Sequence, residues 1–273
     1  MKYPLVAVIM SVYKNDKPHL LKMALDSIVN QTYHNEKIRI YLGIDGEITQ
    51  ELEKVIANCN FIYRIQKNKN NIGLGPTLNK IVNILENEEF VFRMDADDVS
   101  LLNRFDVQIR YMFENPNVDI LGTALVEVNK NNEELNIRTY PRKNIKKYIA
   151  KGAPLAHPTV CFRKNVFEKI NYSSAIRLNE DIDLWFQALK NDFRIDNLPD
   201  VLYRILIDDS FFKRRGYAKS FGEFKAYIKG IWTLHKITWI YIFPVARLIS
   251  RFLPESLIKR LYRSNLRKTL LNK

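Results

Sequence analysis

Phe90-Val91-Phe92-Arg93-Met94-Asp95-Ala96-Asp97-Asp98 is a short apolar run that stops on three carboxylates. Residues 90–94 have the length and content of a strand buried on both faces. Upstream of it, Pro76 opens a helix carrying Leu78, Ile81, Val82 and Leu85 at helical spacing, and residues 61–65 read as another strand. Before that, Thr49 can cap a helix that turns Leu52, Val55 and Ile56 inward. Ile38, Ile40, Leu42 and Ile44 alternate as a strand does, and Asp45-Gly46 closes it with a turn. Asp16 and Pro18 start the first helix, on which Leu20, Leu21, Ala24, Leu25 and Ile28 recur, and residues 5–11 form the first strand. Strands separated by helices predict right-handed crossovers and a largely parallel sheet.

Downstream the pattern changes. A helix near 101–114 precedes strand-like segments at 120–128 and 137–140, with a turn at 129–132 and short elements to about 203. The expected architecture is α/β, a Rossmann-like and mostly parallel sheet flanked by helices, with a mixed α+β second half. Residues 1–210 would form the main domain, in halves 1–100 and 101–210, and 211–273 a basic helical tail.

Composition narrows the function classes. Of 273 residues, 47% are apolar and 27% charged, which suits a globular chain rather than a disordered one. Cys59 and Cys161 stand alone, so neither a zinc site nor a disulfide framework is expected, and a reducing cytoplasm fits. Residues 5–12 follow Pro4 and lead to no small-residue cleavage site, so they read as a strand rather than a leader. The charge is unevenly placed. Residues 211–273 hold 15 Lys and Arg against Glu223 and Glu255, leaving 28 basic and 28 acidic residues in 1–210.

In an open parallel sheet, ligands sit beyond the carboxyl ends of the strands. Asp45 falls there, and so does the run from Asp95 to Asp98. Residues two apart on extended backbone point the same way, so Asp95 and Asp97 can converge while Asp98 faces elsewhere. Paired carboxylates are hard ligands suited to Mg²⁺ or Mn²⁺ shared with a diphosphate. The plainer reading is an acidic turn before a helix, where aspartates act as caps. Asn68 to Gly75 is a glycine-containing loop without Walker A or GxGxxG spacing. Asn179-Glu180-Asp181-Ile182-Asp183 reads as the first turn of an amphipathic helix, either capping it or supplying a general base. His157, held extended by Pro158, can meet a phosphate or sugar or serve as a hydrogen-bonded structural group.

Taken in order, these segments resemble the family 2 glycosyltransferases, whose fold is GT-A. The matching stretches are Val8-Ile9-Met10-Ser11-Val12-Tyr13-Lys14-Asn15-Asp16, Leu25-Asp26-Ser27-Ile28-Val29-Asn30-Gln31-Thr32-Tyr33, Asp45-Gly46, and Asn71-Ile72-Gly73-Leu74-Gly75 through Asn79. They continue with Arg93-Met94-Asp95-Ala96-Asp97-Asp98, His157-Pro158-Thr159-Val160-Cys161-Phe162-Arg163-Lys164 and Glu180-Asp181-Ile182-Asp183-Leu184-Trp185, and together cover about residues 4–205. Two departures stand out. Ile44-Asp45-Gly46-Glu47 replaces the family's frequent Asp-Asp-Gly-Ser, and Asn171-Tyr172-Ser173 stands where Gly-Gly-Tyr is common.

The resemblance implies roles. Ser11, Val12 and Tyr13 would line the base and ribose, and Asp45 would read the base, commonly uracil. Asn71, Gly73, Asn79 and Arg93 would join the donor site. Asp95, Ala96 and Asp97 would meet ribose and metal-diphosphate, with Asp97 the first metal ligand, Asp95 the second, and Mn²⁺ or Mg²⁺ the cofactor. Asp98 would be secondary, or only cap the following helix. Asp181 would be the base of an inverting displacement, with His157, Glu180 and Trp185 on the acceptor side. The implied activity moves a hexose or N-acetylhexosamine from a nucleotide-sugar, commonly a UDP-sugar, to a saccharide or lipid-linked saccharide acceptor. The similar subgroup builds bacterial O-antigen, capsule or exopolysaccharide.

The tail interleaves Lys213, Arg214 and Arg215 with Trp232, Trp239, Tyr241, Phe243 and Phe252. Its uncharged stretch at 237–246 holds Pro244 and is too short to span a bilayer, which takes about 20 apolar residues. Peripheral attachment to an anionic membrane, on the inner face of the cytoplasmic membrane, is one expectation; a solvated basic helix docked on the main domain is the other. Arg214 and Arg215 are further candidates to reach the donor diphosphate. A sugar-phosphate nucleotidyltransferase is the alternative enzyme, but a glycine-rich phosphate loop with a basic residue is missing near the first strand. Nucleic acid is not an expected partner, because residues 1–210 are neutral and carry no binding motif.

Overall fold

The computed structural model describes residues 3–174, 176, 178–207 and 217–250. Its first part runs β1 (Val6–Val12), α1 (Pro18–Val29), β2 (Ile38–Asp45), α2 (Gln50–Ala57), β3 (Ile62–Asn68), α3 (Leu74–Val82) and β4 (Phe90–Arg93). β1 pairs parallel with β2 and β4, and β2 pairs parallel with β3. Every side chain from Val6 to Met10 is buried, because helices cover both faces of this strand. Thr49 caps α2 by accepting from the Leu52 amide at 3.3 Å.

Two elements are displaced from the sequence reading. β3 starts after Phe61, which is half exposed, and runs on to Asn68. α3 begins at Leu74 rather than Pro76 and ends before Leu85. Proline is tolerated in a first turn because its missing amide would have no helical partner there.

The second part contains β5 (Val99–Ser100), α4 (Arg104–Glu114), β6 (Ile120–Val128), β7 (Glu134–Arg138), α5 (Ile145–Tyr148), β8 (Cys161–Arg163), α6 (Glu180–Lys190) and β9 (Ile195–Leu206). The sheet order is β3-β2-β1-β4-β8-β6-β9-β5, with β7 on β6. β8 runs antiparallel between β4 and β6, and so changes the direction of the sheet beside β4. β9 is a long strand that the sequence pattern hid. Its pairing with β6 slips where Leu198 gives way to Val201, and Pro199 and Asp200 are pushed out to solvent. The segment read as a strand at 137–140 forms earlier, as β7.

The described part of the tail is α7 (Tyr217–His235), a 3₁₀ turn at Trp239–Tyr241 and α8 (Ile242–Ser250). Two cores follow from the alternation along β1. Val6, Val8, Met10 and Val12 join the cluster with α1, α2 and α4, whereas Ala7 and Ile9 join α3, α5, α6 and α7. α7 therefore shares the second core, through Ala226, Tyr227 and Ile231. It approaches α6 closely because Gly230 leaves room for the Phe186 ring, into which any Cβ would run. Arg247 of α8 reinforces the docking, stacked 4.5 Å from the Tyr227 ring and paired with Glu223 at 3.1 Å.

Candidate active site

β4 lies between β1 and β8, and its carboxyl end delivers the acidic run. Met94 and Ala96 are buried in the core, and Asp95 and Asp97, alternating with them, are half-buried. This is the two-residue periodicity expected of extended backbone. Asp98 is buried, and its carboxyl is held well above the usual carboxylate range by burial and then by the charges of Asp97 and Asp95. It does not cap the following helix: α4 starts at Arg104, with Asn103 in the capping position.

Arg93 is 1% exposed, so it contacts no exposed ligand from its place under the site. Its Nη2 donates to Asp95 Oδ1 at 2.5 Å. Its Nε and Nη1 are buried without a hydrogen-bond partner among the described residues. A second buried cation, Arg104, donates to the Arg93 carbonyl at 3.0 Å and lies over the Tyr203 ring at 4.9 Å. Burial lowers the Arg104 guanidinium pKa to about 10. The Tyr203 hydroxyl accepts from the Asp95 amide at 3.2 Å, which ties the acidic turn to β9.

Asp45 ends β2 and is 4% exposed. Its carboxylate accepts from the amides of Ile72 and Gly73 at 2.8 and 2.9 Å and from Asn68 Nδ2 at 3.1 Å. Asp45 thus fastens the loop leading into α3. Gly73 has φ of +96°, a conformation that L side chains rarely adopt. Asn71 adds a bond from Nδ2 to the Asp45 carbonyl at 3.3 Å. Asn68, buried between Asp45 and Thr77, is essential to this lock and was not marked by the sequence reading.

At the end of β1, Ser11 is half-buried, Tyr13 is exposed, and Val12 is wholly buried, so Val12 offers a ligand no side-chain surface. The second acidic group opens α6. Glu180 is mostly buried and Asp181 half-buried, while Asp183 pairs with Lys229 of α7 at 3.3 Å. Trp185 is fully buried in the second core, stacked near Phe162, so it is a packing residue and not an acceptor contact. Asn79 makes two bonds to the Tyr172 backbone, at 2.7 and 2.9 Å, and so holds the 171–174 segment. His157 is also buried, with Nε2 2.9 Å from the Tyr172 hydroxyl. Burial and then Arg93 push its pKa well below 6.5, which keeps the ring neutral.

Tyr172, which the sequence did not mark as a site residue, bonds His157 and Asn79 and lies within electrostatic reach of both acidic groups. Burial raises its hydroxyl pKa, and the charges of Arg93, Glu180, Asp181 and Asp95 all act on it. Beside it, a cleft of about 450 Å³ opens between the 171–174 segment, α6 and α7, lined by Asn171, Ser173, Asp183 and Lys229. Arg214 and Arg215 lie outside the described residues.

No group of three or more His, Cys, Asp or Glu side chains among the described residues is arranged to hold a metal alone. Two half-buried carboxylates at a strand end instead fit a hard cation that completes its shell from phosphate and water. They do not fit a closed zinc site.

Comparisons with known proteins bear on the family and the fold. The model for "Glycosyl transferase family 2" matches residues 7–170. An Escherichia coli protein named UDP-Gal:alpha-D-GlcNAc-diphosphoundecaprenol beta-1,3-galactosyltransferase is 30% identical, over 98% of each chain. Among solved structures, S. aureus TarS 1-349 with UDP-GlcNAc superposes with a TM-score of 0.68 at 17% identity, over 98% of this chain and 78% of that one. The mannosyltransferase PcManGT from Pyrobaculum calidifontis, with GDP-Man and Mn2+, gives 0.67 at 14% identity, over 99% and 84%. The fold is GT-A, the parallel β3-β2-β1-β4 half followed by the mixed half. With the family model covering more than half the chain and a relative matching it end to end, the protein belongs to glycosyl transferase family 2.

Proposed function

We propose that the protein is a metal-dependent, inverting glycosyltransferase that moves a hexose or N-acetylhexosamine from a UDP-sugar to a lipid-linked saccharide during bacterial surface-polysaccharide synthesis. The observation that carries this reading is the pair of half-buried carboxylates, Asp95 and Asp97, at the carboxyl end of β4, together with half-buried Asp181 in the first turn of α6. Donor anchoring and base catalysis need two such groups and no enzymatic nucleophile. The donor diphosphate would lie over Asp95 and Asp97, with Ser11 and Tyr13 beside the nucleoside. When bound, Mn²⁺ or Mg²⁺ on Asp97 and Asp95 supplies neutralisation for the leaving nucleoside diphosphate. Asp181 takes the proton of the acceptor hydroxyl as its oxygen bonds to the anomeric carbon and the bond to the diphosphate oxygen breaks. Arg93 holds Asp95 in place from below, and the Asp45 lock fixes the loop at the start of α3.

The choice of a UDP-sugar and a lipid-linked acceptor is supported by the printed activity of the Escherichia coli relative, and the choice of Mn²⁺ by the Pyrobaculum complex. Attachment to the inner face of the cytoplasmic membrane through 211–273 belongs to the same reading. No helix among the described residues is long and apolar enough to cross a membrane. The test is single-turnover transfer to a lipid-diphosphate saccharide with Asp181→Asn. A general base is worth about 10²- to 10⁴-fold, so transfer should fall by that much while donor affinity holds. Unchanged transfer would remove Asp181 from the mechanism.

A further inference from the structure

α7 has two apolar faces. Ala226, Tyr227 and Ile231 are buried against the main domain. Phe221, Phe224, Ile228 and Trp232 recur at i, i+3, i+7 and i+11 on the other side, where Phe221 and Trp232 are more than half exposed. Past the end of α7 the chain turns back, and Ile237 and Tyr241 close a groove of about 490 Å³ with Phe224, Ile228 and Trp232. The exposure continues along the chain: Ile237 is 90% and Trp239 74% exposed, and Ile242 and Ile249 of α8 are open as well. Single exposed apolar residues are ordinary, but a run of them on one pair of helices marks an interaction surface.

Charge selects the partner. Residues 217–250 carry Lys219, Lys225, Lys229, Lys236 and Arg247 against Glu223 alone, and Glu223 is paired with Arg247. Lys225 and Lys229 both line the groove. Exposed tryptophans among lysines, where basic residues outnumber carboxylates, suit the interface of an anionic bilayer. Lys229 also lines the polar cleft beside α6 and reaches Asp183 there at 3.3 Å, so the apolar groove and the polar cleft share one cation.

We infer that the groove seats one hydrocarbon chain of a phosphate-headed lipid in a bilayer surface, with Lys225 and Lys229 meeting its phosphate. A head group held at Lys229 stands at the mouth of the cleft beside α6, whose first turn carries Asp181. The inference rests on the membrane-attached reading above and gives it a location on α7 and α8.

Tryptophan fluorescence of the full chain tests this directly, because Trp185 is wholly buried while Trp232 and Trp239 are exposed. Vesicles of phosphatidylcholine with phosphatidylglycerol should bind the protein, shift its emission to the blue and allow quenching by brominated lipid chains. Pure phosphatidylcholine vesicles should bind it more weakly, and inorganic phosphate alone should give no shift. Ile237→Glu should weaken partition by about 10-fold or more, since it places a charge where the bound bilayer would cover an exposed aliphatic side chain. The near-ultraviolet circular dichroism of Trp185 checks that this variant is folded. Absence of binding to the anionic vesicles would overturn the inference, and so would unquenched tryptophans in the bound protein or unchanged partition of folded Ile237→Glu. Concentration-dependent self-association that buries the tryptophans without lipid would overturn it as well. Donor titration of the same samples separates the two claims: donor binding without vesicle binding sinks only this inference, and vesicle binding without donor binding sinks only the proposed transferase reading.

Discussion

Asp95 and Asp97 are both half-buried, alternating with the buried Met94 and Ala96, and Asp95 leans on Arg93. Asp95 is the partner of a fully buried guanidinium that has no second acceptor among the described residues. Removing its carboxylate leaves Arg93 charged and uncompensated, which costs at least ~1–3 kcal/mol. Asp95→Ala is therefore expected to lower Tm along with activity, as thermal unfolding followed by circular dichroism can check; an unchanged Tm would mean that the pair contributes nothing to stability. His157 provides a pH signature at the same scale. Its folded pKa is depressed, so the unfolded chain binds the extra proton first as pH falls. Its neutral form contributes fully above 6.5, and stability should decline below 6.5 until the folded ring itself titrates. His157→Gln should flatten that part of the stability curve, measured as urea midpoints across pH, and an identical pH slope in the variant would contradict the assignment.

Among the elements, the crossing of α6 and α7 is the most sensitive to a small change. Gly230 sits against the Phe186 ring, so a methyl there must push the helices apart or turn the ring. Gly230→Ala should destabilise by about 1–3 kcal/mol, read from chemical denaturation, and a neutral effect would show that α7 docks loosely. The loop between β3 and α3 is governed in the same way by one side chain. Asp45→Ala frees two amides and Asn68, and amide hydrogen exchange at Ile72 and Gly73 should rise sharply as a result. Loss of protection confined to other loops would argue against the lock. Such ties are invisible to periodicity. Asp45-Gly46 reads as a turn on composition, and only the fold brings Asn68 and Ile72 to its carboxylate. Tyr172 and Tyr203 escaped notice for the same reason: each acts through a hydroxyl on residues far away in sequence.

The whole molecule was legible where the chain is regular and opaque where it is not. Helices between strands marked the parallel half, because β1, β2 and β4 are long or apolar enough to stand out and α1 shows its buried stripe. The strands β5 and β8 are too short for any period, and β9 is interrupted by Pro199 at its slip against β6. The acidic ends of β4 and α6 were found because carboxylates at element boundaries are read locally. The change of sheet direction at β8, beside β4, is contained in no local pattern. The buried positions of Val12, Ala96, Arg93 and Trp185 show the same limit, since a motif names residues without saying which side faces the ligand. The central claim is that Asp95 and Asp97 anchor a nucleotide-sugar through a divalent cation. Donor hydrolysis across UDP-, GDP- and dTDP-sugars, with Mn²⁺ and after chelation, in the wild type and in Asp97→Ala, tests it most directly. Turnover should depend on the metal and collapse in Asp97→Ala; full turnover without metal, or unchanged turnover in the variant, would contradict it.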